Sequence, residues 1–196
     1  MKNKWLLVAL VFFLSGCYPT FKHAVVDPEH NKFDERLIGM WEVDESMRDK
    51  EKGEYGFLLF LPCEEGVCIT LFTIANDEKG DVLHYQGFAA EVNGVGYINY
   101  KDYGSDDETD YELATYQITE DHQLKLALID SKKLEAAIAD KKISGEMTES
   151  KDMFGNASST VVTADREELI KFLSTSDIFN EEKGTYNFKD IGLPNK

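Results

Sequence analysis

From Phe57 to Ile129 the apolar residues come in runs of strand length, and each run ends at turn-forming residues. Phe57 to Leu61 is a short continuous apolar run, which reads as a buried strand. Cys68 to Ile74 is its partner, with Ile69, Leu71 and Thr73 on one face and Thr70, Phe72 and Ile74 on the other. Val82 to Val92 reads as a strand broken by Gly87, and Asn93-Gly94 is a hairpin signal leading to a return strand over Val95 to Tyr100. Gly94 and Gly96 allow a bulge or sharp curvature. Tyr111 to Thr119 alternates, with Glu112, Ala114, Tyr116 and Ile118 against Tyr111, Leu113, Thr115 and Gln117. After Glu120-Asp121-His122 the chain returns over Gln123 to Ile129, with Leu124, Leu126 and Leu128 on one face.

The pattern changes after Ile129. Leu134, Ala137 and Ile138 fall at helical spacing, so Ser131 to Ile138 reads as a short helix. Lys141 to Glu149 reads as a strand or an extended loop, and Ser158 to Thr163 as a β-branched strand. Asp165 followed by Glu168 forms a capping box, ahead of an apolar face made by Leu169, Ile170, Phe172 and Leu173. Tyr186 and Phe188 restore the alternation near the end. The expectation is a mainly β domain: an antiparallel meander barrel or half-barrel with one or two helices packed on it near the C-terminus.

Gly39-Met40-Trp41 lies on the first strand, just after a short turn. It resembles the Gly-x-Trp of the lipocalin and calycin barrels. In those families the Gly permits close packing and the Trp plugs the closed end of the barrel. Thr109-Asp110-Tyr111 is similar to the second lipocalin motif. The third, an Arg near the last strand, has no counterpart, since after Arg48 the only Arg is Arg166, on the expected helix. The resemblance implies a lipocalin-like barrel over residues 35–196.

At the other end of the chain, Lys2 and Lys4 precede an apolar segment from Trp5 to Leu14. Ten helical residues span roughly 15 Å, about half a hydrocarbon core, which suits a signal-peptide core better than a membrane span. The next residues, Leu14-Ser15-Gly16-Cys17, resemble the lipobox of bacterial lipoproteins. That resemblance implies cleavage after residue 16, diacylation of the Cys17 thiol and acylation of the new amino group. Two or more chains give stable anchoring where one is marginal. Tyr18 rather than Asp follows the Cys, which implies sorting to the outer membrane. Residues 17–34 mix Pro19, Pro28, His23, His30 and charges without periodicity, and read as a lipidated Cys and a tether.

Cleavage would leave 180 residues, one domain by length with enough chain for a core. It removes Lys2 and Lys4 and no acid, so 19 basic residues face 37 acidic ones, a net charge of −18. Such a surface repels nucleic acid, which excludes that class of partner. The two remaining cysteines, Cys63 and Cys68, have four residues between them, Gly66 among these. In an oxidising compartment they read as a structural disulfide across a hairpin end rather than a redox or metal pair.

No catalytic constellation is evident. His23, His30, His84 and His122 are scattered, and no nucleophile elbow, phosphate loop or His-Glu-x-x-His motif is present. Asp102, Asp106, Asp107, Glu108 and Asp110 form an acidic loop that does not match an EF-hand; it reads as a solvated loop, with calcium the alternative. The strands are rich in aromatic residues, which pack across sheets. In an open barrel some of them, Phe72, Tyr85, Tyr97 and Tyr116, would line an apolar cavity. The expectation is therefore a membrane-anchored envelope lipoprotein, without cofactor, metal or catalytic residue, that binds an apolar small molecule or lipid in its barrel. The alternative is a protein-binding accessory subunit or inhibitor whose barrel is filled by its own side chains.

Overall fold

The computed structural model describes residues 18–48, 55–64, 66–74, 80–105, 110–152, 155–179 and 185–192. In chain order these include β1 (Thr20–Phe21), β2 (Gly39–Val43), β3 (Tyr55–Cys63), β4 (Gly66–Ile74), β5 (Val82–Val92), β6 (Val95–Asp102), β7 (Glu112–Ile118) and β8 (Gln123–Leu128). Helix α1 (Ser131–Ala139), β9 (Gly145–Asp152), β10 (Gly155–Val162), helix α2 (Arg166–Leu173) and β11 (Thr185–Asp190) follow. The signal peptide and Cys17 expected from the sequence lie outside the described residues.

Eight strands close into one antiparallel barrel in the order β11-β2-β3-β4-β5-β6-β7-β8. The closing strand is β11, which pairs antiparallel with both β2 and β8 and so leaves no free edge in this sheet. The mainly β barrel expected from the hairpin pattern is present and fully closed. At the β5–β6 turn, Asn93 (φ 53°) and Gly94 (φ 80°) both adopt the left-handed conformation, as a two-residue hairpin turn requires. At the β3–β4 turn, Cys63 and Cys68 form the expected disulfide, with their Cα atoms 5.7 Å apart.

The segments read as strands near 141–149 and 158–163 are not barrel strands. They form the β9–β10 hairpin, and β1 adds to it in parallel to complete a separate three-stranded sheet. Both helices start on an aspartate cap. Asp130 accepts from the backbone N–H groups of Lys132 and Lys133, and Asp165 accepts from that of Glu168 at 2.9 Å. Only half of the expected capping box forms, because Glu168 turns away from Asp165. Its Oε1 accepts instead from the Ser144 N–H and hydroxyl at 2.8 and 2.9 Å, which ties α2 to the approach to β9.

Two apolar cores result. One fills the barrel and includes Trp41, Phe60, Ile98 and Leu124. The other lies outside it, where Ala90, Val92, Tyr97 and Leu113 of β5–β7 meet Val162, Leu134, Leu169 and Phe172. Strand β6 is consequently buried on both faces, without interruption from Gly96 to Tyr100.

Residues 18–34 are not a free tether. Phe21 and Val25 are 0 % exposed and Val26 1 %, all within the outer core. Phe21 exchanges two backbone hydrogen bonds with Tyr111, and the Val26 N–H donates to Asn99 Oδ1 at 2.9 Å. Arg166 on α2 donates to the Val25 carbonyl and to Asn31 Oδ1. These apolar side chains and hydrogen bonds order the segment together, because the barrel wall offers an apolar face and polar partners. That face is invisible in the segment's own polar, proline-containing sequence.

The barrel has two distinct ends. At one, where β2 begins, lie the β3–β4, β5–β6 and β7–β8 turns and a 3-10 turn over Glu35–Leu37. At the other, the mouth, β2, β4 and β6 end and β3, β5, β7 and β11 begin.

Candidate functional site

The closed end is built around Trp41. Its indole Nε1–H donates to the Leu37 carbonyl at 2.9 Å, so the ring and the 3-10 turn seal the barrel together. Trp41 is 2 % exposed and Leu37 0 %. Gly39, two residues before Trp41, takes φ 151°. Over the plug lies a polar lattice. Arg36 donates to both Asp34 oxygens at 2.8 and 2.6 Å and to Glu91 at 2.7 Å, while the Tyr116 hydroxyl donates to Asp34 Oδ2 at 2.8 Å. Burial alone would raise the Asp34 pKa. The hydrogen bonds from Arg36 and Tyr116 outweigh it and hold the carboxylate below its ordinary value.

The mouth carries a carboxyl group that burial perturbs strongly. Glu112 opens β7 on the same face as Ala114, Tyr116 and Ile118, so it points into the barrel beside Tyr100 of β6. Burial pushes its carboxyl up to about 7; the Tyr100 hydroxyl opposes the rise and Asp102 adds to it. Tyr100 and Tyr85 meet edge to face with ring centroids 5.4 Å apart. Burial and the Glu112 charge raise the pKa of each. Tyr100 Oη and Glu112 Oε2 are both buried here, and neither has a hydrogen-bond partner within full bonding geometry. Tyr18 completes the group. It packs on the barrel core near Glu112 and Tyr186, and burial raises its phenol too.

Between these ends the barrel is packed. Its cavity measures about 50 Å³ and is bounded by apolar and tyrosine side chains, among them Leu58, Ile69, Tyr85, Ile98, Tyr100 and Phe188. Ligand pockets for small organic molecules run to roughly 300–1,000 Å³. Larger spaces are open grooves outside the barrel. One of about 800 Å³ runs between α1 and α2, where Lys133, Lys142 and Lys171 rim a floor of Ala137, Phe172 and Ile178. Another, of about 600 Å³, lies beside β6–β8 under Leu173 and Phe179.

Of the aromatics expected to line a cavity, Tyr85 does so and Tyr116 points inward, though at the closed end, where Asp34 holds it. Phe72 and Tyr97 do not. Phe72 lies on the outer face of β4 and stacks on Phe57 at 5.3 Å; Tyr97 faces outward from β6 and packs near Phe179 at 6.3 Å. Alternation gave each strand two faces, and for β4 and β6 these residues stand on the outer one. Glu112 was legible as the charged member of the Ala114-Tyr116-Ile118 face. Tyr100 and Tyr18 carried no signal of their own.

Of the acidic loop, 106–109 lies outside the described residues, and Asp110 pairs with Lys22 at 2.5 Å. Among the described residues no three His, Cys, Asp or Glu side chains are grouped to hold a metal. Also among them, no helix is long and apolar enough to cross a membrane. Fold and interior together define a closed eight-stranded antiparallel barrel with two helices, consistent with the lipocalin-like class. Compared with protein-family models, curated proteins and solved structures, the chain matches none.

Proposed function

We propose that this chain is a lipid-anchored protein of the bacterial cell envelope, held by Cys17 at the outer membrane, that binds another envelope protein through its outer surface. The barrel is its scaffold, and no catalytic step is assigned to it. The reading rests on one observation. The interior holds about 50 Å³ of free space, too little for an apolar small molecule or lipid unless Tyr18 and the core beneath it moved aside. A filled barrel still presents rigid loops, hairpins and grooves to a partner, and disulfide closure of the β3–β4 hairpin stiffens one of them.

The test has two arms. For the domain, native and denaturing mass spectra of residues 18–196 purified from the native host are compared. Equal masses, together with a specific crosslinked envelope protein in cells, are expected. A reproducible excess mass of several hundred daltons lost on denaturation would favour a carried ligand instead. For the anchor, Cys17→Ser is expected to leave the precursor unprocessed or the protein soluble, as judged by gel mobility and membrane fractionation.

A further inference from the structure

We infer that the mouth of the barrel is a membrane-contact face: the rim formed by Tyr55, Ile74, Val82 and Tyr103 rests in the headgroup layer of the bilayer that holds Cys17. This deepens the lipoprotein reading and depends on it.

Two independent observations converge. The first is the distance between anchor and domain. Tyr18 is packed against the core at the mouth, Pro19 is buried, and Thr20–Phe21 is paired into a sheet. Consecutive Cα atoms are about 3.8 Å apart, so Cys17 stands one peptide unit from a fixed point on the barrel. A free 17–34 segment, extended at about 3.5 Å per residue, would have reached some 60 Å. The headgroup layer is only about 5–7 Å deep on each side of the hydrocarbon. Acyl chains that begin a few bonds beyond the Cys17 sulfur and lie in the hydrocarbon therefore bring the mouth to the lipid surface.

The second observation is the composition of the rim. Large apolar side chains are exposed at neighbouring strand ends there: Tyr55 is 45 % exposed, Ile74 53 %, Val82 57 % and Tyr103 64 %. Tyr55 pairs with Ile74, Phe72 next to them pairs with Val82, and Tyr103 bonds back to His84, so β3 to β6 present these side chains side by side. The Arg48 guanidinium lies over the Tyr55 ring, 5.0 Å from its centre, and leaves the rest of that side chain exposed. Tyrosine is favoured at the bilayer interface, where its ring is apolar and its hydroxyl wet. Asp81 and Asp102 at the same end repel anionic lipid, so a zwitterionic surface fits best.

The experiment uses full-length mature lipoprotein in vesicles of phosphatidylcholine and phosphatidylethanolamine. With Cys17 acylated and Cys63–Cys68 oxidised, single cysteines at Tyr103→Cys, Val82→Cys and, at the closed end, Glu120→Cys can each carry an environment-sensitive fluorophore. The labels at 103 and 82 are expected to brighten, shift to the blue and be quenched by a headgroup nitroxide, while the label at 120 keeps its aqueous spectrum. Labels at 103 and 82 that match the one at 120, on protein whose mass proves Cys17 acylated, overturn the inference and leave the lipoprotein reading intact. A mass showing Cys17 unmodified overturns both.

Discussion

The Tyr116 hydroxyl donates to Asp34 Oδ2 at 2.8 Å across 82 positions of sequence. This bond joins an inward-facing residue of β7 to the cap of the 3-10 turn, and so locks the plug onto the barrel wall. Asp34 also holds Arg36, which reaches on to Glu91 of β5. One carboxylate thus organises the whole closed end.

Tyr116→Phe removes that bond and leaves Asp34 held by Arg36 alone. A hydrogen bond to a charged group contributes about 1.5–3 kcal/mol, so urea unfolding at neutral pH is expected to show a loss in that range. Because Asp34 titrates below its unfolded value, its contribution is present above that value and disappears as pH falls through the folded pKa. The difference between wild type and variant should therefore shrink in acid. A difference independent of pH down to 2 would contradict this account.

Glu112 works in the opposite direction. Its folded pKa of about 7 lies above the unfolded carboxylate value, so the native state binds the extra proton between roughly pH 4.5 and 7. Stability falls as pH rises through that window and is level above it, with a total of about 3–4 kcal/mol. Glu112→Gln is expected to be more stable than wild type at pH 8 and nearly equal at pH 4. Parallel stability profiles for the two proteins would refute the assignment.

Asn99 is 0 % exposed, and its Oδ1 is the acceptor for the Val26 N–H. Asn99→Ala leaves that buried N–H without a partner, which costs about 1–3 kcal/mol. The same change should loosen residues 18–34, so trypsin is expected to cut after Lys22 or Lys32 faster than in wild type under native conditions. Unchanged cleavage kinetics would mean the apolar contacts of Phe21 and Val25 hold the segment by themselves.

The Cys63–Cys68 bridge closes a short loop, with a sequence separation of 5. The loop-entropy estimate for a ring this small is about 2 kcal/mol. Replacing both cysteines by serine should lower the urea midpoint correspondingly while the far-ultraviolet spectrum of the barrel persists, since eight strands remain paired. Loss of the β spectrum at neutral pH would show that the hairpin depends on the bridge to form.

Much of this architecture is written locally. Alternation in Tyr111–Thr119, the Asn93-Gly94 turn and the Asp165 cap each follow from the conformational preferences of a few neighbouring residues, and all three appear where the sequence places them. The disulfide is legible for the same reason, because its partners are close in the chain. Alternation also divides every strand into two faces, but it does not say which face turns inward when both are apolar. Strand β6 is the clearest case: Ile98 and Tyr100 face the barrel while Tyr97 and Asn99 face the second core, and all four are buried. Tertiary closure decided that question, and with it which tyrosines line the interior. It also decided that residues 18–34 pack rather than trail, because the surface that orders them is supplied by strands about seventy to ninety residues away. The raised pKa of Glu112 has the same origin. A glutamate on an alternating strand is ordinary until the barrel closes around it and takes its water away.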